Sequence, residues 1–202
     1  MTSINPHYTF FYSQPEHYRF SHDSVFLARR AFELFKSQIS TQTRVLDLCA
    51  GCGIVGMDFL FHCQSELGYT PSICDFLELQ EEYASHFEIN KRNLHHISCL
   101  MQFFQTNHIH FCDGSYDLIL CNPPYFQPGD GKLSPNEFKN RCRFFLDGSQ
   151  EDLFQTIKRL LVPSGKALVL MRAEAPPQAT GLLSFKQQPI RGTPLFLFSR
   201  ES

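Results

Sequence analysis

The fold turns on one stretch, Val45-Leu46-Asp47-Leu48-Cys49-Ala50-Gly51-Cys52-Gly53-Ile54-Val55-Gly56. It reads as a short β-rich run, Arg44–Cys49, that breaks into G-x-G-x-x-G and restarts as a helix at Ile54. Such a loop lets backbone approach a ligand closely at the carboxyl end of a strand. The pattern alone fits a dinucleotide site, where a helix N-terminus holds a pyrophosphate. Asp47 argues against that, because it places an acid at the strand end, beside the phosphates. A ligand carrying an amino group and a sulfonium in place of phosphates welcomes a carboxylate there. The expected cofactor is therefore S-adenosylmethionine, approached by Ala50, Gly51 and Gly53, with Asp47 near its cationic end. Glu78, at the end of the next β-like run (Pro71–Glu78), is placed to take the ribose hydroxyls.

Outward from this loop, strand and helix patterns alternate. A helix is expected from Asp23 to about Gln38, with Ser21 or Asp23 as its N-cap. Ile54–Cys63, Glu81–Asn93 and Glu151–Leu161 read as helices; Ile97–Phe103, Tyr116–Cys121 and Lys166–Met171 read as strands. Two β-like pieces follow, around Leu182–Gln187 and Leu195–Ser199, and a polar loop spans about Gln127–Ser149. The alternation predicts one doubly wound α/β unit, a mostly parallel sheet with an antiparallel C-terminal strand. Residues 1–38 are expected to form an arm and helix that contribute to the cofactor site, and 39–202 the core.

The run Tyr116–Cys121 delivers Asn122-Pro123-Pro124-Tyr125 to the same sheet edge as the glycine loop. Two prolines fix the backbone, as a preorganised site requires. An exocyclic amine or amide nitrogen is a poor nucleophile because its lone pair is delocalised. The Asn122 side-chain oxygen and the Pro123 carbonyl are suited to accept its N–H groups, favouring a pyramidal nitrogen and stabilising the charge that develops. Tyr125, with Phe126 beside it, offers a face for a flat substrate group. The expected chemistry is methylation of a planar amino nitrogen by Asn122, Pro123 and Tyr125.

Composition narrows the setting. Charged residues make up 19% of the chain and the formal net charge is −2, so no global basic field announces a nucleic acid. The basic run Lys132, Lys139, Arg141 and Arg143, with only Glu137 opposing it between Lys132 and Arg143, is the local candidate for phosphate contacts. No apolar run is long enough to span a bilayer and the start shows no signal-peptide pattern, so a cytoplasmic protein is expected; a monomer is expected as well. The eight cysteines are then reduced. Cys49-Ala50-Gly51-Cys52 lacks the second ligand pair of a zinc site, and His95-His96 and His108-Ile109-His110 read as strand or loop residues; no metal is expected.

Gln14-Pro15, the segment Tyr18-Arg19-Phe20-Ser21-His22-Asp23-Ser24, the loop at 47–56 and Asn122–Phe126 together resemble the bacterial tRNA adenine-N6 methyltransferases, class I enzymes with a Rossmann-like domain. The similar group modifies an adenine beside the anticodon of a valine tRNA. The resemblance runs from about Gln14 to Met171. It implies an RNA substrate, with Ser21 and Asp23 near the cofactor and Asp47, Gly51 and Glu78 in the roles above. Two departures stand out. The family carries an acid after the third strand against the cofactor adenine; here Gln102 is the expected substitute. Pro176-Pro177 falls where a fuller helix is expected.

Three other functions are compatible with parts of the chain. A glutamine-amide methyltransferase acting on a protein shares the Asn-Pro-Pro-Tyr turn but is expected to carry an extra N-terminal helical domain. A non-catalytic S-adenosylmethionine-binding module would not need Asn122 and Tyr125. A nicotinamide oxidoreductase rests on the glycines alone.

Overall fold

A computed structural model describes residues 11–173 and 181–201; Pro176-Pro177 lies outside them. Seven strands form one sheet: β1 Arg44–Leu48, β2 Ile73–Glu78, β3 Leu100–Gln105, β4 Tyr116–Cys121, β5 Leu161–Leu170, β6 Leu182–Ile190 and β7 Thr193–Arg200. Their order is β3-β2-β1-β4-β5-β7-β6. The first five pair in parallel. β7 pairs antiparallel with both β5 and β6, so it alone runs against the rest. The α/β architecture, mostly parallel with an antiparallel C-terminal strand, is as the sequence predicts.

The helices are α1 His22–Phe35, α2 Ile54–Leu67, α3 Glu82–Asn93, α4 Glu137–Arg141 and α5 Gln150–Leu160. Central strands bury alternate residues on opposite faces. Val45, Leu118, Leu120, Leu168 and Leu170 join the core under α1, α2 and α3. Leu46, Leu48, Ile119, Cys121, Ala167 and Val169 join the core under α5. This is why these strands read as continuous apolar runs. Ser149 opens α5 with a capping box in which Asp152 returns the hydrogen bond.

Three details depart from the sequence expectations. β3 begins and ends two to three residues later than its apolar pattern indicates, because Ile97 is buried in the turn before it. The expected loop at 127–149 contains α4, capped by Asn136 through Lys139 N. β5 starts directly after α5 and carries Pro163 and Gly165 inside a register shift against β4.

Strand order reverses between β1 and β4, so the chain leaves these neighbours in opposite directions and opens a crevice at their carboxyl ends. The loops after β1, β2, β3 and β4 all meet that edge. Two glycines make the crevice possible. Gly53 has φ +86°, and a Cβ there would stand 2.9 Å from the Phe87 ring. A Cβ on Gly56 would stand 2.6 Å from the Phe76 ring, so α2 packs on the sheet only with glycine at this position.

Candidate active site

The crevice is a cavity of about 420 Å³ bounded by the arm, the glycine loop, the ends of β2, β3 and β4, the loop 142–148 and Arg172. Its walls come from stretches of chain far apart in sequence, and side-chain hydrogen bonds hold them together.

The arm is fastened first. Tyr12 donates to Asp58 Oδ1 on α2 at 2.6 Å. Ser13 N donates to Asn90 Oδ1 on α3 at 2.6 Å, and Asn90 Nδ2 donates to the carbonyls of Ser13 at 2.9 Å and Cys52 at 3.0 Å. One amide therefore ties the arm to the glycine loop. Gln14 Oε1 accepts from Phe20 N at 3.0 Å, which bends the arm so that Gln14, Tyr18, Phe20 and Ser21 all border the cavity. Ser21 is the N-cap position of α1, but its hydroxyl makes no capping hydrogen bond.

Glu78 borders the cavity and is the acid best placed for a ligand. Its Oε2 accepts from Gly51 N at 2.8 Å and its Oε1 from Gln80 N at 2.9 Å. Burial pushes its carboxyl above the ordinary range, and the backbone donors oppose that shift. A carboxylate has about four lone-pair sites, so acceptor capacity remains for hydroxyls in the cavity. Ala50 and Gly51 line the same wall, with positive φ at Cys49 and Gly51 turning the backbone around it. Asp23 also borders the cavity and accepts from Thr193 Oγ1 at 3.2 Å.

Asn122 stands at the end of β4 between two fixed partners. Its Nδ2 donates to Ser24 Oγ on α1 at 2.9 Å, across 98 residues of sequence. Tyr125 Oη donates to its Oδ1 at 2.6 Å. Burial raises the Tyr125 phenol, which keeps the proton that makes this bond. The amide is thereby held in one orientation, and an amide oxygen has a second lone pair to offer. Pro123 and Phe126 line the cavity beside it.

Other sequence candidates lie elsewhere. Asp47 is fully buried outside the cavity lining; its Oδ2 accepts from Gly56 N at 2.8 Å in the first turn of α2, and burial pushes its carboxyl well up. It holds the glycine loop and helix start from beneath. Gly53 likewise lies behind the lining, against Phe87. Gln102 sits in mid-β3, paired with Asp75. The later end of β3 puts Thr106, Asn107 and His108 on the cavity instead. Gln102→Ala is expected to leave cofactor affinity within about twofold of the parent, as for an exposed residue remote from the site; calorimetric titration checks this.

In the sequence His108 reads only as a strand or loop residue. Burial holds its imidazole down to about 4, so the ring is neutral near pH 7. Its Nδ1 lies 3.2 Å from Thr156 Oγ1, and Arg159 anchors the loop by donating to the carbonyls of His108 and Phe111. Lys132, Lys139 and Arg141 do not border the cavity. α4 turns Arg141 back onto Asp147 at 3.0 Å and Glu137 at 3.5 Å. Arg143 alone of the basic run reaches the lining, joined by Arg172 at the end of β5, which no sequence motif singled out. Among the described residues no cluster of His, Cys, Asp or Glu could hold a metal ion. Among the described residues no helix is long and apolar enough to cross a membrane.

A parallel sheet with this order, a glycine loop after β1, an acid after β2 and Asn-Pro-Pro-Tyr after β4 define a class I methyltransferase whose cofactor is S-adenosylmethionine. Glu78 with the Cys49–Gly51 backbone fits that cofactor: a carboxylate suited to hydroxyls, beside a glycine loop that permits close backbone approach. The family model of the methyltransferase small domain matches residues 16–138, and the chain belongs to this family.

The tRNA1(Val) (adenine(37)-N6)-methyltransferase of Erwinia tasmaniensis is 30% identical over 139 residues, 68% of this chain and 54% of the relative. The ribosomal protein uL3 glutamine methyltransferase of Neisseria meningitidis is 25% identical over 124 residues, 61% of this chain and 38% of the relative. The chain thus spans about half or less of the length of these curated relatives. Among solved structures, the methyltransferase yhhF of Escherichia coli superposes with a TM-score of 0.66 at 14% identity, over 100% of this chain and 98% of its own. That likeness concerns the fold.

Proposed function

We propose that this methyltransferase acts on N6 of an adenine in structured RNA, such as a tRNA. The observation that carries the reading is the Asn122 amide, locked between Ser24 and Tyr125 at the cavity wall. The tRNA adenine-N6 relatives support it.

When bound, the cofactor supplies an electrophilic methyl group on a sulfonium. Glu78 would hold the ribose, and Ala50 and Gly51 would let the backbone approach the amino-acid end. Asp23 and Ser21 would close that end from the start of α1. Thr106–His108 would meet the cofactor adenine, the neutral His108 ring standing in for the acid of the family. On the substrate side, the second lone pair of Asn122 Oδ1 and the Pro123 carbonyl accept the two N–H bonds of the exocyclic amine. This draws the nitrogen out of conjugation and aims its lone pair at the methyl carbon. As the C–N bond closes, the S–CH3 bond breaks and its electron pair stays on sulfur as a neutral thioether; the ammonium-like charge left on nitrogen would be stabilised by the same two acceptors. The proton then leaves to water, because alkylation has made it acidic. Phe126 and the ring of Tyr125 flank the base.

Incubation of the protein with labelled S-adenosylmethionine and total small RNA, followed by nucleoside mass spectrometry, is expected to give N6-methyladenosine. A glutamine-amide substrate in a protein is the second reading, favoured by the Neisseria relative; label in ribosomal proteins or release factors, with none in RNA, would establish it instead.

A further inference from the structure

Two guanidinium groups stand at the cavity mouth, brought there by separate parts of the fold. Arg172 follows β5, and its Cζ lies 5.4 Å from the Tyr125 ring centroid and 5.1 Å from that of Phe126. Arg143 follows α4, and its Cζ lies 5.5 Å from Phe126 and 5.4 Å from Phe144. Phe126 is thus shared by both cations. Aromatic faces hold a guanidinium in place without neutralising it. The platform is itself rigid: Arg143 O accepts from Tyr125 N at 3.1 Å and Phe126 N at 2.9 Å, and Phe126 O accepts from Phe145 N at 2.9 Å. The hydroxyl-bearing ring of Tyr18, from the arm, lines the same mouth.

Several other arginines of the fold, though not all, carry carboxylate partners. Arg29 is paired with Glu33 and Glu66, Arg141 with Glu137 and Asp147, and Arg191 with Asp23. Among the described residues neither Arg143 nor Arg172 is in an ion pair, although both are exposed and the chain carries a formal net charge of −2. Asp147, the rim carboxylate beside them, is taken by Arg141. Two preorganised, unneutralised forks at the rim of a pocket for a flat base match a phosphodiester in geometry and charge. A glutamine side chain would offer them no charge.

We propose that Arg143 and Arg172 form a phosphate clamp that grips the backbone of the nucleotide whose base enters beside Asn122. This rests on the RNA reading above and names the contact that selects RNA over protein. Tyr18 closes the clamp from the arm side.

The test is steady-state methylation of an RNA stem–loop identified as a substrate of the parent protein, with the pair Arg143→Gln, Arg172→Gln and a surface control, Lys36→Gln. The pair is expected to raise KM about a hundredfold, since each of the two lost charge-assisted contacts is worth about tenfold, with a smaller change in kcat. The dependence of log KM on log salt is expected to flatten by about 0.7 per phosphate contact released. Lys36→Gln is expected to match the parent. Arg143→Lys, Arg172→Lys keeps the charge and loses the planar fork, so it is expected to recover part of the KM loss. Cofactor affinity by calorimetry reports folding; should the glutamine pair lose it, Arg172→Gln alone and the lysine pair carry the comparison. Unchanged KM and salt slope in a protein that methylates RNA would overturn the clamp and leave the RNA reading standing. A parent protein that labels glutamine in a protein and ignores RNA would overturn both.

Discussion

Asn122→Ala is expected to lower kcat by about 10²–10³-fold, the usual effect of removing one preorganised polar partner of a transition state. Cofactor affinity is expected to stay nearly unchanged. The split follows from where the amide sits. Its Nδ2 is spoken for by Ser24 and one lone pair of its Oδ1 by Tyr125, so what remains is the second Oδ1 lone pair, which the proposed mechanism assigns to the nitrogen that must pyramidalise. That mechanism assigns the ribose and the amino-acid end of the cofactor to other residues. Removing the amide also leaves the Ser24 hydroxyl and the Tyr125 phenol without these partners, at a stability cost of about 1–3 kcal/mol. Single-turnover kinetics on the RNA substrate, with calorimetry for the cofactor, checks both halves. Parent-like turnover in the variant would remove Asn122 from the mechanism.

Glu78→Ala is expected to weaken cofactor binding by about tenfold to more than a hundredfold, at about 1.5–3 kcal/mol for each hydrogen bond lost to a charged group. The carboxylate does two things at once. In the proposed role it offers acceptors to ribose hydroxyls, and in the structure it holds Gly51 N and Gln80 N in place. Alanine removes the ribose partner and releases the glycine loop that the amino-acid end must approach. Glu78→Gln retains one acceptor oxygen and much of the shape, so it is expected to fall between parent and alanine variant. An alanine variant that binds S-adenosylmethionine as tightly as the parent would show that the ribose is held elsewhere.

The fold was legible where the chain repeats a local rule. β1, the glycine loop and α2 form one continuous signal, and β4 announces itself because an apolar run stops at two prolines. The same holds for Glu78 and Asn122, each placed by the end of a strand that its own sequence defines. Legibility failed where local pattern is weak. β3 is an edge strand with an irregular burial pattern, so its end lies two residues beyond the apolar pattern, and Thr106–His108 rather than Gln102 line the cavity there. Asp47 was correctly assigned to a strand end, but nothing local tells whether its carboxylate turns outward to a ligand or inward to Gly56 N. The basic run could not reveal that α4 would fold Arg141 onto Asp147.

Contacts between distant segments leave no trace in spacing at all. Ser24 with Asn122, Asn90 with Ser13, and Arg172 with Tyr125 join residues whose local contexts are unrelated. Ser24 was at least inside the arm segment that resembles the family. Arg172 had only its position just past a strand to mark it, as did His108.

The Asn90 amide bears on the order in which the molecule can assemble. Its partner Ser13 lies 77 residues earlier, and Ser24 must wait 98 residues for Asn122. Closing loops of that length costs entropy before any contact returns it. The arm emerges before α3 during synthesis, yet it gains its docking ground only once α3 is in place. Its part of the cavity wall is completed only when β4 and the residues after β5 have joined the sheet. Binding competence is then a late and collective property of this chain, acquired when the sheet closes around the arm.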